Sequence, residues 1–328
     1  MSDNKNNFSG TFSNFTGGIG NQGQVTGQQT LNVHSSNSQV SSSSSQNSNK
    51  STNSESSIQL TNKELGRGQF GKVYKGIWHG QTVAVKKIPA IYLQDIDKEI
   101  KVLKRLNHEN IIKYHGEKSK DDNIFIIMEL AENGSLNRWI ERNKNQEHDW
   151  QTNYKFIDQI TKGLIYLHGE NIIHRDLKSS NILLDKDNRV KICDFGLAKI
   201  AENLSLLKTN TNNNPIGTVR WMAPENFKNG DSFVPRQSKY SDIYSLGMIM
   251  WEICAKNAFP FNHLKDDVAV MFGIGSGTLR EEIPTETPAE LAEIIELCWR
   301  FEPSERISLN DIEQELDNLI HEAVMEVI

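Results

Sequence analysis

The pattern of apolar and polar positions divides the chain into three stretches. Residues 1–57 show no apolar periodicity and are almost entirely polar. From Ile58 short apolar runs alternate with turn residues, which predicts β-strands. After about residue 130 apolar residues recur every three or four positions, which predicts α-helices. The sequence therefore predicts an α+β protein with a strand-rich first part and a helix-rich second part.

Single elements can be placed within this outline. Val83-Ala84-Val85 follows a His79-Gly80 turn and reads as the second strand of a hairpin. Three groups of apolar residues at helical spacing each predict a helix: Ile96, Ile100 and Leu103; Phe156, Ile160, Leu164 and Leu167; Leu309, Ile312, Leu316 and Leu319. No internal repeat is evident, so two unequal lobes are the simplest arrangement.

The segment 1–57 consists mainly of Ser, Asn, Gln, Gly and Thr. Such a composition buries too little apolar surface to offset chain entropy, so we expect this tail to be disordered. Within it, residues 8–33 carry widely spaced Phe, Ile, Val and Leu side chains among Gly, Asn and Gln. A solvated spacer is the favoured interpretation, and a self-assembly or adaptor-binding motif is the alternative.

The composition of the chain argues against several classes of protein. The 328 residues carry a net charge of −6, with no block of Lys and Arg, so nucleic acid is not expected as a partner. The longest apolar stretch, 243–255, is interrupted by Ser245 and Glu252 and is too short to insert into a membrane. Three widely separated cysteines argue against a disulfide scaffold or a zinc site. We therefore expect a cytoplasmic protein.

The first chemical motif is a glycine-rich stretch, Gly66-Arg67-Gly68-Gln69-Phe70-Gly71-Lys72-Val73. Glycines let backbone N–H groups approach phosphate oxygens. In a dinucleotide fold this loop would open a helix, but here the chain continues as a strand and then reaches Val83-Ala84-Val85-Lys86. The glycine pattern is also known in a second context, in which the loop joins two strands and a lysine follows on the next strand. The order of elements here matches this second context.

An acidic partner for this lysine lies on the next predicted helix. Glu99 follows Ile96 by three residues and precedes Leu103 by four, so it lies beside the apolar face. A carboxylate directed inward needs a cation, and Lys86 is the natural one. The plain alternative is an ordinary surface glutamate.

Three further motifs follow in order: His174-Arg175-Asp176-Leu177-Lys178-Ser179-Ser180-Asn181, then Asp194-Phe195-Gly196, then Ala223-Pro224-Glu225. With these motifs the sequence resembles the eukaryotic protein kinases over residues 60 to 320. The resemblance implies a bilobal fold with a small β-rich N-lobe that carries one helix and a larger, mainly α-helical C-lobe. It places the kinase domain at 58–328, with the N-lobe at about 58–128, the hinge at about 129–132 and the C-lobe at about 133–320.

The resemblance also implies roles for single residues in ATP-dependent phosphoryl transfer. Asp176 would accept or orient the proton of the substrate hydroxyl, and Lys178 would contact the γ-phosphate. Asn181 and Asp194 would bind Mg²⁺, for which Mn²⁺ could substitute. The residues that would bind ATP are Leu65, Gly66, Gly68, Gly71, Val73, Ala84, Lys86, Glu99, Glu129, Ala131 and Leu183. Glu129 and Ala131 would use their backbone for the adenine edge, after Met128 at the back of the pocket.

Several strings resemble the tyrosine-kinase-like group, which includes mixed-lineage and Raf-type kinases. They are Gly76-Ile77-Trp78, Cys193 to Ala198 and Gly217 to Glu225. Together with Lys178, this resemblance implies transfer to Ser and Thr hydroxyls of protein substrates. Thr218 would then bond toward Asp176 and Lys178.

A regulatory segment is expected between Asp194 and Glu225. Ser205, Thr209 and Thr211 lie in an Asn-rich, loop-like stretch. A phosphate added there by an upstream kinase would bring nearly two negative charges, and Arg175 is placed to bind it. The alternative is an unregulated variable loop.

Other matches imply structural roles. Asp242 would brace the catalytic loop from a buried helix, and Glu225 would pair with Arg306. His174, Phe195 and Leu103 would form a packed column, and Cys193 would be a buried small side chain. Because every expected catalytic residue is present, an active enzyme in intracellular signalling is favoured, and a signalling scaffold that uses the kinase fold for binding is the alternative.

Overall fold

The computed structural model describes residues 58–68, 71–92, 97, 100–194, 218–227, 238–257 and 259–325. The first part is a five-stranded antiparallel sheet of strands β1 (Gln59–Gly68), β2 (Gly71–Trp78), β3 (Gln81–Pro89), β4 (Tyr114–Lys120) and β5 (Asn123–Glu129). Their order in the sheet is β1-β2-β3-β5-β4. Helical residues 100–103 lie between β3 and β4.

The hairpin predicted at residues 79–80 is present. His79 and Gly80 both have positive φ, 49° and 76°, and Trp78 pairs with Gln81 across the turn. Positive φ at both central residues is the geometry of a two-residue turn whose twist matches that of the flanking strands. The turn therefore fixes the β2–β3 register, which places Val73 opposite Lys86.

The two faces of this sheet bury different side chains. Val83, Val85 and Ile127 pack with Ile58 and Phe125 on one face. On the other face Ile88, Ile124 and Ile126 pack with Ile100 from the helical segment. Because side chains alternate along a strand, Lys86 belongs to the same face as Ile88.

The second part is mainly helical. Its helices are α1 (Leu136–Asn143), α2 (Trp150–Gly169), α3 (Lys239–Cys254), α4 (Asp267–Ser276), α5 (Ala289–Cys298) and α6 (Leu309–Met325). A small sheet of β6 (Gly134–Ser135), β7 (Ile182–Leu184) and β8 (Val190–Ile192) lies beside them. The predicted α+β, bilobal architecture is confirmed.

Helix α3 is the centre of the C-lobe. A capping box between Ser238 and Ser241 begins it, and all residues from 241 to 254 are buried. Gly247 lets α5 approach closely, because a Cβ there would lie 2.7 Å from the Cβ of Cys298. The predicted helical stripes of α2 and α6 face the same core.

The cysteines Cys193, Cys254 and Cys298 are buried free thiols. Within the described ranges, no helix combines the length and apolarity needed to cross a bilayer.

Candidate active site

The catalytic loop, residues 172–181, runs between α2 and β7 and is held from beneath by Asp242 in the first turn of α3. The Asp242 carboxylate accepts hydrogen bonds from the backbone N–H groups of His174 at 2.8 Å and Arg175 at 3.0 Å. It also accepts one from His168 Nε2 at 2.8 Å. The predicted bracing role of Asp242 is therefore confirmed, and His168 is a third partner that no sequence pattern indicated.

His174 is a fully buried core histidine, as predicted. Its Nδ1 accepts from the backbone N–H of Asp176 at 3.3 Å, so Nε2 carries the proton and donates to the Cys193 carbonyl at 3.1 Å. Burial lowers the pKa of His174, which favours this neutral form. The imidazole thereby ties the catalytic loop to the strand end that carries Asp194.

Two residues of this site adopt left-handed backbone conformations that side chains other than glycine rarely take. Arg175 has φ 70° and Asp194 has φ 60°. Arg175 is held by the bond from its N–H to Asp242. Strained conformations of this kind persist where the surrounding structure determines them and cluster at functional sites.

The Asp176 carboxylate is the centre of a cluster of polar side chains. Lys178 Nζ lies 3.0 Å and 2.9 Å from its two oxygens. Asn181 Nδ2 donates to the Asp176 carboxylate at 2.9 Å and to its backbone carbonyl at 2.7 Å. Lys178 also donates to Thr218 Oγ1 at 2.9 Å, so the predicted link from Thr218 to the catalytic loop is confirmed. One amine and one amide thus fix the orientation of a carboxylate that is partly open to solvent.

A second cluster joins the two lobes. Lys86 Nζ, on a side chain that is only 4% exposed, lies 2.5 Å from an Asp194 carboxylate oxygen. Burial opposes ionisation of Asp194, but the charge and hydrogen bond of Lys86 outweigh it and hold the pKa of the carboxyl below its ordinary value. Asp194 is therefore an anion, and its side chain is 37% exposed toward the cleft.

Asn181 lies next to Asp194. The Cys193 N–H donates to the Asn181 carbonyl at 3.0 Å. Because the Asn181 Nδ2 group is directed at Asp176, its side-chain oxygen points to the opposite side of the amide. An amide oxygen and a carboxylate are the hard donors that Mg²⁺ and similar divalent ions prefer, so these residues fit such an ion.

Strand register makes other candidate residues neighbours of Lys86 in the N-lobe sheet. Gly66 pairs with Val73, Val73 with Lys86, and Ala84 with Met128, which precedes Glu129 at the end of β5. Gly68 pairs with Gly71 at the tip of the glycine-rich hairpin. A Cβ on Gly71 would lie 1.9 Å from the Lys87 carbonyl oxygen, so only glycine fits there.

The remaining candidates divide into two groups. Leu65 lies on β1, Leu183 lies on β7, and Ala131 follows the end of β5. Other candidates lie outside the described residues: Glu99, the expected partner of Lys86, Phe195 of the packed column, and the regulatory Ser205, Thr209 and Thr211.

The Glu129 side chain has a structural function that sequence reasoning missed. One carboxylate oxygen accepts the backbone N–H of Lys113 at 2.6 Å, and the other lies 3.2 Å from Lys191 Nζ on β8. Its own N–H donates to the Lys113 carbonyl at 2.9 Å. The Glu129 carboxylate thus links the end of β5 to strand β8 of the C-lobe. These partners lie 16 and 62 positions away, and no local pattern connects them.

The predicted lower-lobe ion pair is present. Arg306 donates to both carboxylate oxygens of Glu225, at 2.8 Å and 2.7 Å. Arg220, which the sequence did not single out, is equally buried. It bonds Asp267 and three carbonyl oxygens of the α3–α4 connection. The segment 218–221 is therefore attached both to the catalytic loop and to the start of α4.

Comparison with known proteins agrees with this geometry. The family model of protein tyrosine and serine/threonine kinases matches residues 59–316. The serine/threonine-protein kinase CTR1 of Arabidopsis thaliana is 35% identical over 80% of the chain, and STY17 of the same species, also a serine/threonine-protein kinase, is 30% identical over 79%. The probable serine/threonine-protein kinase kinX of Dictyostelium discoideum is 33% identical over 78%.

The aligned part of the chain spans only 32%, 44% and 23% of the lengths of these three relatives. It is the kinase region that they share with this chain. A family match over most of the chain, together with the lobes and site already described, establishes its membership. The chain belongs to the protein tyrosine and serine/threonine kinase family.

Proposed function

We propose that the protein transfers the γ-phosphoryl group of ATP to Ser and Thr hydroxyls of protein substrates. The observation that carries this proposal is the arrangement around Asp176, whose carboxylate is oriented by Lys178 and Asn181 while Lys178 also bonds Thr218. A carboxylate fixed in this way is suited to accept a hydroxyl proton at a defined point.

In this mechanism the substrate oxygen attacks the γ-phosphorus. The bond between the γ-phosphorus and the oxygen that bridges it to the β-phosphate breaks, and ADP leaves. The hydroxyl proton passes to Asp176. Lys178 stabilises negative charge on the transferring group, and Lys86 contacts the α- and β-phosphates. Asn181 and Asp194 would hold a divalent ion, for which we propose Mg²⁺ with Mn²⁺ as a substitute. When bound, this ion neutralises charge on the phosphates.

The strand register supports a proposal for the nucleotide-binding surface. We propose that Val73, Ala84 and Leu183 enclose the adenine ring and that the Glu129 and Ala131 backbones bind its edge. Leu65, Gly66, Gly68 and Gly71 would cover the sugar and phosphates. Glu99 is proposed to hold Lys86 in place during transfer.

An assay with ATP, Mg²⁺ and a generic basic protein tests this function. Asp176→Asn keeps the size of the side chain but removes the base, so transfer should be lost while nucleotide binding remains. If both proteins show equal residual transfer, the kinase fold serves for binding and the proposal fails. Mass spectrometry of autophosphorylated protein should find phosphate on Ser and Thr and not on Tyr.

We also propose a switch and a cellular setting. Phosphorylation of Ser205, Thr209 or Thr211 by an upstream kinase would order the activation segment through Arg175 in a cytoplasmic signalling pathway. Replacing all three residues by Ala should lower turnover strongly, and unchanged turnover would refute the switch.

For residues 1–57 we propose a disordered tail ahead of the kinase domain at 58–328. Within the tail, residues 8–33 are the candidate for self-assembly or adaptor binding. Sedimentation of the protein with and without the tail measures this role, and an unchanged size distribution would leave the tail a spacer.

A further inference from the structure

A buried carboxyl group lies beneath the active site and has no role in the mechanism described above. Glu252, in the last turns of α3, is 0% exposed. Ser179 Oγ lies 2.5 Å from one of its carboxyl oxygens, and Trp221 Nε1 donates to the other at 2.8 Å. Ser179 and Trp221 are themselves buried. The group is therefore enclosed, and it is bonded by Ser179, through both the hydroxyl and the backbone N–H, and by Trp221.

The two partners come from the two segments that form the transfer site. Ser179 directly follows Lys178 in the catalytic loop and begins the short turn that ends at Asn181. Trp221 ends the turn that begins at Thr218. Above this junction, Lys178 and Thr218 bond each other. The two segments are thus joined twice, once at the surface by Lys178 and once in the interior by Glu252.

The surroundings of Glu252 favour its neutral form, because a buried carboxylate without a cation is costly. Within the described part of the chain, the charged side chains on neighbouring elements are paired elsewhere: Asp176 with Lys178, Arg220 with Asp267, and Arg306 with Glu225. On α3 itself, Asp242 lies ten positions earlier and accepts from His168 and from catalytic-loop N–H groups. The groups that bond Glu252 itself are the hydroxyl and backbone N–H of Ser179 and the indole of Trp221, all of them neutral.

We propose that Glu252 is a positioning residue for phosphoryl transfer, whose protonated carboxyl holds the catalytic loop at Ser179 against the substrate-side segment at Trp221. This inference rests on the proposed kinase activity. In the neutral form the carboxyl O–H donates to Ser179 Oγ and the carbonyl oxygen accepts from Trp221. Each bond joins a neutral donor to a neutral acceptor, so no charge is buried.

Ionisation of Glu252 would disturb this junction. Burial raises the pKa of Glu252 to about 8, and the bonds from Ser179 and Trp221 lower it only in part. Above that pH an uncompensated charge lies inside the C-lobe. Water would then have to enter, or one of the two segments would have to move, to stabilise the charge. Either change would disturb the hydrogen bond between Lys178 and Thr218.

The experiment compares kcat of the full chain from pH 6.5 to 9.5 on one protein substrate with MgATP. For the wild type, kcat should fall about tenfold between pH 7 and pH 9, as one proton is lost from Glu252. Glu252→Gln reproduces the neutral pattern, since its amide donates to Ser179 and accepts from Trp221. This variant should keep kcat within a few fold at pH 7 and should lose the alkaline decline.

Further measurements separate positioning from a merely structural role. The alkaline effect should appear in kcat and in KM for the protein substrate, because Glu252 holds the substrate-side segment at Trp221. The control Glu290→Gln, at an exposed position on α5, should retain the wild-type profile. An alkaline decline in Glu252→Gln that matches the wild type would overturn the proposal.

Two variants keep the test decisive if Glu252→Gln fails to fold. Ser179→Ala and Trp221→Phe each remove one bond that favours the carboxylate, so the midpoint of the alkaline decline should move to higher pH. Unchanged midpoints in both variants would refute the inference. A wild-type protein with no transfer at any pH would instead refute the proposed function.

Discussion

The buried ion pair between Arg306 and Glu225 allows a quantitative prediction for Arg306→Met. The Arg306 side chain is 0% exposed and donates to both Glu225 oxygens at 2.8 Å and 2.7 Å. It also donates to the carbonyl oxygens of Arg300 and Tyr240, both at 2.9 Å. Methionine fills the space with apolar atoms but leaves the carboxylate and the two carbonyl oxygens without these donors.

The expected loss in the free energy of unfolding depends on the Glu225 carboxylate, which stays in place without Arg306. Breaking a buried ion pair by removing one partner costs about 3–5 kcal/mol, because the other charge stays buried. Glu225 keeps a bond from Ser241 Oγ, which places the loss toward the lower end of that range. For a domain of this size, a loss of this order lowers Tm by roughly 10 °C.

Urea denaturation of the wild type and of four variants, Arg306→Met, Glu225→Leu, their combination and Arg280→Met, measures this loss. Arg306→Met combined with Glu225→Leu removes both charges and should lose much less than the sum of the single changes. The control Arg280→Met breaks an ion pair with Glu296 whose side chains are 46% and 47% exposed, so it should cost at most about 1 kcal/mol. A loss for Arg306→Met no larger than for Arg280→Met, or strict additivity in the double variant, would contradict the reasoning.

Three more predictions follow from other parts of the structure. Lys86→Met should lower kcat/KM by on the order of 10² or more, whereas Lys87→Met should leave turnover near that of the wild type in the same assay. In calorimetry Gly247→Ala should destabilise the protein by about 1–3 kcal/mol, because the added Cβ would overlap α5. The control Gly169→Ala should be neutral or slightly stabilising, because the added Cβ meets open space. The pKa of Glu252 is raised from 4.5 to about 8, so the folded state holds the extra proton between these values. The free energy of unfolding of the wild type should therefore fall with rising pH across this window, by up to about 1.4 kcal/mol per pH unit relative to Glu252→Gln. If the difference in unfolding free energy between the two proteins does not change with pH, the pKa of Glu252 is not raised.

The correct sequence predictions share a physical cause. The His79-Gly80 turn and the stripe of Phe156, Ile160 and Leu164 depend on neighbours within a few residues. Turn chemistry and apolar periodicity express such local preferences directly. The role of Asp242 and the Glu225 pair with Arg306 were predicted differently, from the resemblance to the kinase family, and the structure confirms both.

Other features could not be predicted, because their partners are far apart in sequence and chemically ordinary. Glu252 looks like a polar interruption of an apolar stretch, and only the fold brings Ser179 and Trp221 to its two oxygens. The hinge carboxylate of Glu129 meets Lys191 in the same way.

The sequence by itself determined the succession of strands and helices, the order of the catalytic motifs and the class of chemistry, since these depend on local spacing and residue type. Only the tertiary structure decided which groups become neighbours across the lobes, such as Lys86 and Asp194, and which carboxyl groups lose their solvent. The physical reason is that burial and pairing are properties of the packed chain. A carboxylate beside an amine stays ionised, whereas one enclosed with a hydroxyl and an indole retains its proton.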